Sequence, residues 1–442
     1  MKIFHTNDRN LRELIKGSFS AFFLKLVGMV FTYMCMLFIT RFYGADTWGL
    51  YTLGFTVLSI AVVVPVFGFD NALIRLIADL KDNYSQKSII SVLAKSFLIT
   101  TALSIAVVTV IHNFSSFIST SILRQKGFEP FLGLVQIAIY PMALLILISV
   151  VFQSYKRIIH FMLFKSVLLN ILFFLYLSFF YFFEIEAKIF EIYIYAIIST
   201  LVAAFVALIF FLKKRKANKP QKLKGLNIKE IVSFSFPMML SSSFALLLGW
   251  TDILMLSYYG TPTDIGIYSS ALKLASITRL ALTSVNSISS PKFAEFFSKH
   301  DFVGLEDVVQ KSTKIMFMVS APILIVFMLL PKTILSIFGS EFVAGYIVLI
   351  ILCAARFINS ISGSVGHLMQ MTNNQKTYQY VIVSAFVINL VLNYMLIPKF
   401  GINGAAISSS IAMVFWNVTL VAIIKKRLGF WTCYIPFCNK NV

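Results

Sequence analysis

The chain has 442 residues, 59% of them hydrophobic and only 13% charged, with a formal net charge of +20 and a mean hydropathy of +0.86. A soluble domain carries roughly 25% charged residues, so this composition excludes an ordinary soluble enzyme and indicates a polytopic membrane protein. The four cysteines (Cys35, Cys353, Cys433 and Cys438) are scattered, and no histidine beside them completes a metal-site spacing, so neither a metal nor another cofactor is expected.

The opening stretch, MKIFHTNDRNLRELIKG, is long and polar, unlike a secretory signal. A spanning helix needs about 20 mostly apolar residues. Such runs predict spans at 18–39, 47–67, 89–111, 131–152, 161–183 and 190–212. A basic stretch follows at the midpoint of the chain, KKRKANKPQKLKGLNIKE (Lys213–Glu230), which reads as a topogenic, headgroup-facing linker. The second half gives spans at 231–258, 265–289, 313–331, 345–369, 377–397 and 402–424. The two covering 231–289 are the least regular, because Asp252, Lys273 and Arg279 interrupt them. Pro141, Pro237 and Pro322 fall inside spans, where they can bend a helix.

The expected fold is therefore all-α: about 12 transmembrane helices in two six-helix lobes around a central cavity. The boundaries are residues 1–212 for the first lobe, 213–229 for a basic cytoplasmic linker and 230–442 for the second lobe. An even count puts both termini on one side, and the strong excess of Lys and Arg in the loops of that side makes it cytoplasmic. The net charge is then mainly topological, and no nucleic-acid partner is expected.

An internal repeat supports the two lobes. FYGADTWGLYTLGFTVLSI (Phe42–Ile60) aligns with YYGTPTDIGIYSSALKLASI (Tyr258–Ile277), pairing Gly49 and Tyr51 with Gly266 and Tyr268. Both copies start on the outer side after an odd-numbered span, which predicts parallel repeats about an axis along the membrane normal.

Charged residues inside spans point to function. A cation at mid-bilayer costs on the order of 3 kcal/mol or more and usually faces an aqueous cavity, so Lys25, Arg279 and Arg356 are candidates to bind an anionic substrate. Arg356 heads a polar stripe with Asn359, Ser360, Gly363, His367 and Gln370, and Arg279 heads another with Thr283, Asn286 and Ser290. In the first half Lys25, Gly28 and Thr32 share a face, as do Gly49, Thr52, Thr56 and Ser59. Such stripes either line a cavity or hold helices together, since lipid offers polar groups no other partner. Asp252 and Lys273 flank a turn near Pro262 on adjacent spans, at a depth where they can pair. They form either a packing ion pair or, with Asp252 the one acid deep in a span, an ion-coupling site. Lys95 and Lys165 lie near inner span ends, where snorkelling to headgroups accounts for them.

Several segments carry a resemblance to a known family. They are TRFYGADTWGLY, GFDNALIRLIA (Gly68–Ala78), QSYKRIIHFM, FSFPMMLSSS (Phe234–Ser243), GIYSSALKLA (Gly266–Ala275) and IPKFGINGAAISSSIA (Ile397–Ala412). In this order they resemble the Wzx-type polysaccharide and O-antigen flippases of the multidrug/oligosaccharidyl-lipid/polysaccharide (MOP) exporter superfamily. The resemblance implies alternating-access translocation of an undecaprenyl-pyrophosphate-linked oligosaccharide across the inner membrane, for O-antigen, capsule or exopolysaccharide synthesis. It also implies a polyprenyl pyrophosphate substrate and membrane lipids as partners, with the polymerase and glycosyltransferases of the pathway nearby. On this basis Lys25, Arg75, Lys273, Arg279 and Arg356 would form a cationic cavity, with Thr52, Thr56, Ser59, Asn286, Asn359, Ser360 and His367 as polar lining and Asp252 as ion-coupling group. A cation antiporter of the same fold is disfavoured because the spans hold cations rather than acids. A membrane enzyme acting on lipid-linked glycans is disfavoured because the outer loops are short and show no nucleotide, zinc or nucleophile motif.

Overall fold

The computed structural model describes residues 9–83, 86–125, 127–214 and 227–434. Residues 215–226 of the expected linker, and Cys438, lie outside the described residues. Among the described residues the regular structure is helical, with no strand. In chain order the first helices are α1 (Arg9–Val66), α2 (Phe69–Asn83), α3 (Gln86–Asn113), the short α4 (Ser115–Phe117), α5 (Glu129–Ser154), α6 (Ile158–Met162), α7 (Leu168–Phe182) and α8 (Ile189–Lys214). They continue as α9 (Ile228–Tyr259), α10 (Pro262–Ala275), α11 (Arg279–Ser298), α12 (Phe302–Leu329), the short α13 (Pro331–Ser336), α14 (Tyr346–Ser362), α15 (Val365–Met371), α16 (Gln375–Phe400) and α17 (Ile402–Leu428).

The first two expected spans form one 58-residue helical run broken at Gly44, whose φ of 81° and ψ of −179° leave helical geometry. Glycine tolerates that φ without steric cost, and the Ala45 N–H beyond the break donates to the Glu341 carboxylate at 2.9 Å. The span expected at 161–183 begins at Ile158 and carries a wide turn at Leu163–Val167 joining α6 to α7. Among the described residues nine helical segments are long and apolar enough to cross a membrane. Counting α1 as two across Gly44, and adding α9 and the α10–α11 pair, which are more polar, reconciles that number with the expected dozen.

Two expected spans are broken helices. The run at 265–289 is interrupted by a tighter turn at Ser276–Thr278, which separates α10 from α11. The run at 345–369 stops at Ser362, and α15 starts three residues later, at Val365. Gly363 makes that break: its φ is 75°, and a Cβ there would stand 2.1 Å from Thr313 Oγ1. The polar stripe from Arg356 to His367, expected on one helix face, is thus divided between two helices.

Tertiary contacts divide the chain into two compact units: Met1–Phe42 with Tyr51–Leu247, and Tyr43–Leu50 with Leu248–Val442. The division after Leu247 falls within α9. In the first unit α5 packs on α8, α3 and α2, and α7 packs on α8. Its core includes an aromatic cluster in which Tyr51 stacks on Phe173 at 5.5 Å and meets Tyr193 edge-on at 5.6 Å. In the second unit α16 and α17 form a tight hairpin, and α14 packs on α12, α17 and α10. An apolar cluster of Phe293, Leu305, Leu368, Met369, Leu420 and Ile424 closes one end.

The two copies of the repeat meet inside the second unit. A Cβ on Gly49 would lie 1.7 Å from Pro262 O, and one on Gly266 would lie 2.1 Å from Ala45 O. Ala45 and Gly49 are offset by the same 217 positions from Pro262 and Gly266. The contact is therefore self-complementary, as a local two-fold requires, and the absent side chains let the two backbones touch. Helix α10 begins at this crossing by a full capping box: Thr261 Oγ1 accepts from Asp264 N at 3.2 Å, and Asp264 Oδ2 accepts from Thr261 N at 2.9 Å.

Candidate functional site

Asp252, on α9, is 4% exposed and lies inside a membrane-spanning unit. A charge there must be solvated by the protein. The surrounding sequence provides four neutral donors. Asn389 and Asn393, one turn apart on α16, donate through their Nδ2 atoms to Asp252 Oδ1 at 3.1 and 2.8 Å. Tyr268 on α10 donates to Asp252 Oδ2 at 2.6 Å, and Ser409 on α17 donates to the same oxygen. The hairpin at Gly401 places Ser409 beside the two asparagines, and Asn389 Nδ2 also reaches Ser409 Oγ at 3.3 Å. The carboxylate is held by dipoles rather than by a cation.

One atom in this cage is unsatisfied. Asn393 is 0% exposed, its Nδ2 is used, and its Oδ1 has no hydrogen-bond partner. A buried acceptor left alone costs about 1–3 kcal/mol. Asn393 Nδ2 also donates to Asn389 Oδ1 at 3.2 Å, so Asn393 Oδ1 is the one acceptor of the cage left open.

The expected partner of Asp252 is placed elsewhere: Lys273 Nζ lies 4.4 Å from the Trp48 ring centroid, over its face. The sequence placed the two residues correctly near one turn. It could not show that Tyr268, one helical position set earlier on α10, is the residue aimed at Asp252. Tyr268, Asn389, Asn393 and Ser409 were not singled out as site residues. The available signal was the i, i+4 asparagine pair in an otherwise apolar span.

Beside the cage stands an arginine pair. Arg356 on α14 is partly buried and donates through Nη2 to Ser276 Oγ at 3.2 Å. Its electrostatic neighbours are Arg279, Cys353 and Tyr268. Its hydrogen-bond partner is therefore a neutral hydroxyl, and its charged neighbour is another arginine. Arg279 starts α11 and is exposed. Asn359 donates to Asn417 Oδ1 at 2.9 Å, and Ser360 bonds its own helix at Arg356 O. Asn286 is buried and accepts from Ser364 across the Gly363 break, leaving its Nδ2 unpartnered. His367 is exposed on α15.

In the first unit the candidates are dispersed. Lys25 and Arg75 are exposed on α1 and α2. Thr52 and Thr56 are buried, and Thr56 and Ser59 bond to carbonyls of their own helix at Thr52 and Phe55. A second intramembrane acid appears here: Asp70, at the start of α2, lies within electrostatic reach of Lys165. Lys165 is exposed and also sits 4.9 Å from the Phe161 ring centroid.

The polysaccharide biosynthesis protein family profile matches residues 5–297, about two thirds of the chain. The chain belongs to the polysaccharide biosynthesis protein family. The MatE profile matches residues 237–395. A probable low-salt glycan biosynthesis flippase of Haloferax volcanii is 27% identical over 218 residues, covering 49% of this chain and 46% of that protein. A probable flippase of the same organism is 20% identical over 183 residues, covering 40% of this chain and 38% of that protein. The chain thus matches less than half the length of these curated relatives. The lipid II flippase MurJ, in an inward closed conformation, superposes with TM-score 0.74 at 14% identity, covering 93% of this chain and 87% of that one. An inward-facing multidrug resistance MATE transporter of the MOP superfamily gives TM-score 0.71 at 14% identity over 91% and 94%. The fold of this family member is that of the MOP superfamily, as the six sequence segments implied.

Proposed function

We propose that this protein is a flippase for an anionic lipid-linked oligosaccharide, carrying an undecaprenyl-pyrophosphate-linked repeat unit from the inner to the outer face of the cytoplasmic membrane by alternating access. The observation that carries this reading is Arg356, a partly buried cation in a membrane-spanning unit whose hydrogen-bond partner is the neutral Ser276 and which has Arg279 within electrostatic reach. A guanidinium in a span without an acidic partner calls for an anion, and a diphosphate offers it bidentate oxygens. Membership of the family and the names of its relatives support a glycan on the lipid. Lys25 and Arg75 would meet the headgroup in the first unit, and Asn359, Ser360 and Asn286 suit sugar hydroxyls.

The Asp252 cage supports cation coupling. A proton or sodium ion entering there would neutralise the buried carboxylate, and its gradient would drive transport without nucleotide. The placement of Lys213 in the last turn of α8 and of Lys425, Lys426 and Arg427 at the end of α17 supports a cytoplasmic location for those ends and both termini. The glycan would then pass to the polymerase after the glycosyltransferases finish on the inner side.

The test is surface glycan display in a deletion strain. Arg356→Ala or Arg279→Ala should abolish display while the protein still reaches the membrane. Normal display by a stably inserted Lys25/Arg279/Arg356 triple alanine variant would overturn the reading.

A further inference from the structure

We infer that residues 430–434, the stretch that follows α17, are a latch on the break between α14 and α15. Docked, they hold the two helices bent at Gly363; when the bend straightens, they let go. The latch stands apart from the cargo proposed above and acts whatever the protein carries.

Latch and break are mounted on one face of α12. Gln310, Thr313, Lys314 and Phe317 follow the i, i+3, i+4, i+7 spacing of a helix face. Gln310 Nε2 donates to Trp431 O at 2.8 Å. Lys314 Nζ stands 5.9 Å from the Tyr434 ring centroid, and the Phe317 centroid lies 5.5 Å from it. Between these anchors is Thr313, whose Oγ1 would stand 2.1 Å from a Cβ on Gly363. The stretch is itself well seated. Phe430 is 4% exposed and belongs to the apolar cluster at the end of this unit, and Cys433 packs against that cluster.

The bond that links latch to break runs from Tyr434 N–H to Ile361 O, 3.1 Å. In an unbroken helix Ile361 O accepts from the N–H four residues on, which is that of Val365. Gly363, at φ 75°, turns the backbone out of helical geometry between the two. The oxygen freed by that turn is the one Tyr434 takes, so two donors compete for one acceptor. Straightening at Gly363 hands Ile361 O to Val365 and weakens the hold on the stretch, and docking of Tyr434 opposes straightening by the same free energy. The result is a two-state element, bent and latched or straight and released. Its movement reaches the candidate site from both sides of the break. Arg356 stands five residues before Ile361 on α14, about 7.5 Å along the axis, and Ser364, just past Gly363, donates to Asn286 on α11. The latch therefore sets how the arginine half of the helix pair is aimed relative to the Ser364–Asn286 half.

The experiment follows alkylation of Cys433, a free thiol in the docked stretch, by iodoacetamide in the full chain in detergent, read site by site by mass spectrometry. Tyr434→Pro deletes the contested N–H and should speed alkylation about fivefold, the worth of one net hydrogen bond. Tyr434→Leu keeps the N–H and should have a smaller effect. Gly363→Ala alters the break without touching the stretch, and should speed alkylation of Cys433 by about fivefold or more. Pairing it with Thr313→Ala relieves the crowding and keeps the test open if the single variant misfolds. Tyr434→Pro and Gly363→Ala combined should not multiply, because each removes the same bond. The latch is overturned if the Gly363 variants leave Cys433 within about twofold of wild type while Tyr434→Pro speeds it, or if the two effects multiply. Equal effects of Tyr434→Leu and Tyr434→Pro would place the hold in the ring rather than the oxygen, and would also overturn it. So would a wild type in which Cys433 reacts as fast as in the denatured chain.

Discussion

Replacing Gly49 and Gly266 by alanine, singly and together, tests the helix crossing at which the repeat copies meet. Ordinary contact begins at 3.4 Å, so the new methyl groups, at 1.7 Å from Pro262 O and 2.1 Å from Ala45 O, require the helices to part by about 1.7 and about 1.3 Å. The opposing atoms are backbone carbonyls and cannot rotate aside. Overpacking of this kind costs roughly 1–3 kcal/mol, and the upper end applies here. Alanine's better helix propensity returns about 1 kcal/mol per site, leaving a net loss of about 2 kcal/mol for each single variant. One separation of the helices accommodates both methyl groups. The double variant should therefore lose about 1 kcal/mol, less than the two losses added, an interaction energy of about 3 kcal/mol. The assay is unfolding in mixed micelles with rising denaturing detergent, followed by tryptophan fluorescence. Single variants within about 0.5 kcal/mol of wild type, or a double variant equal to the sum of the singles, would refute the reasoning.

Gly363→Ala should destabilise by about 2–3 kcal/mol, because its φ of 75° is unfavourable to a side chain and its Cβ would meet Thr313 Oγ1; the same unfolding assay checks this, and Thr313→Ala should relieve only part of the loss. Glu341→Ala removes the acceptor for the Ala45 N–H and should cost about 1 kcal/mol, with Glu341→Gln losing less. Exchanging Asp252 and Lys273 should fail to restore folded yield or glycan display, since the exchange puts an ammonium among four donors and a carboxylate against the Trp48 face. Recovery on exchange would return these two residues to a simple ion pair.

The spans were legible because lipid imposes one rule everywhere: about 20 apolar residues with internally bonded backbone. The runs at 89–111, 131–152, 190–212, 377–397 and 402–424 match α3, α5, α8, α16 and α17 closely. The breaks were not legible. Gly363 and the Ser276–Thr278 turn sit in polar stretches that also read as one continuous helix face, and only the crowding at Thr313 and the geometry after α10 reveal them. The candidate cations stood out because charge in a span is conspicuous. The donors around Asp252 were overlooked because Tyr, Asn and Ser are unremarkable in a span until a distant helix brings them onto one carboxylate. The repeat alignment did more than divide the chain, since its paired glycines are the atoms in contact.

The loan of residues 43–50 to the other unit bears on any attempt to separate the two. A polypeptide starting at Leu248 would present the Gly266 surface bare and leave Glu341 without its amide, because both complements travel with the amino-terminal fragment. Cleavage within the basic midpoint stretch should thus yield two pieces that regain function only when synthesised in the same cell. An epitope inserted between Tyr43 and Leu50 would injure the carboxyl-terminal unit, despite lying some 200 positions ahead of it.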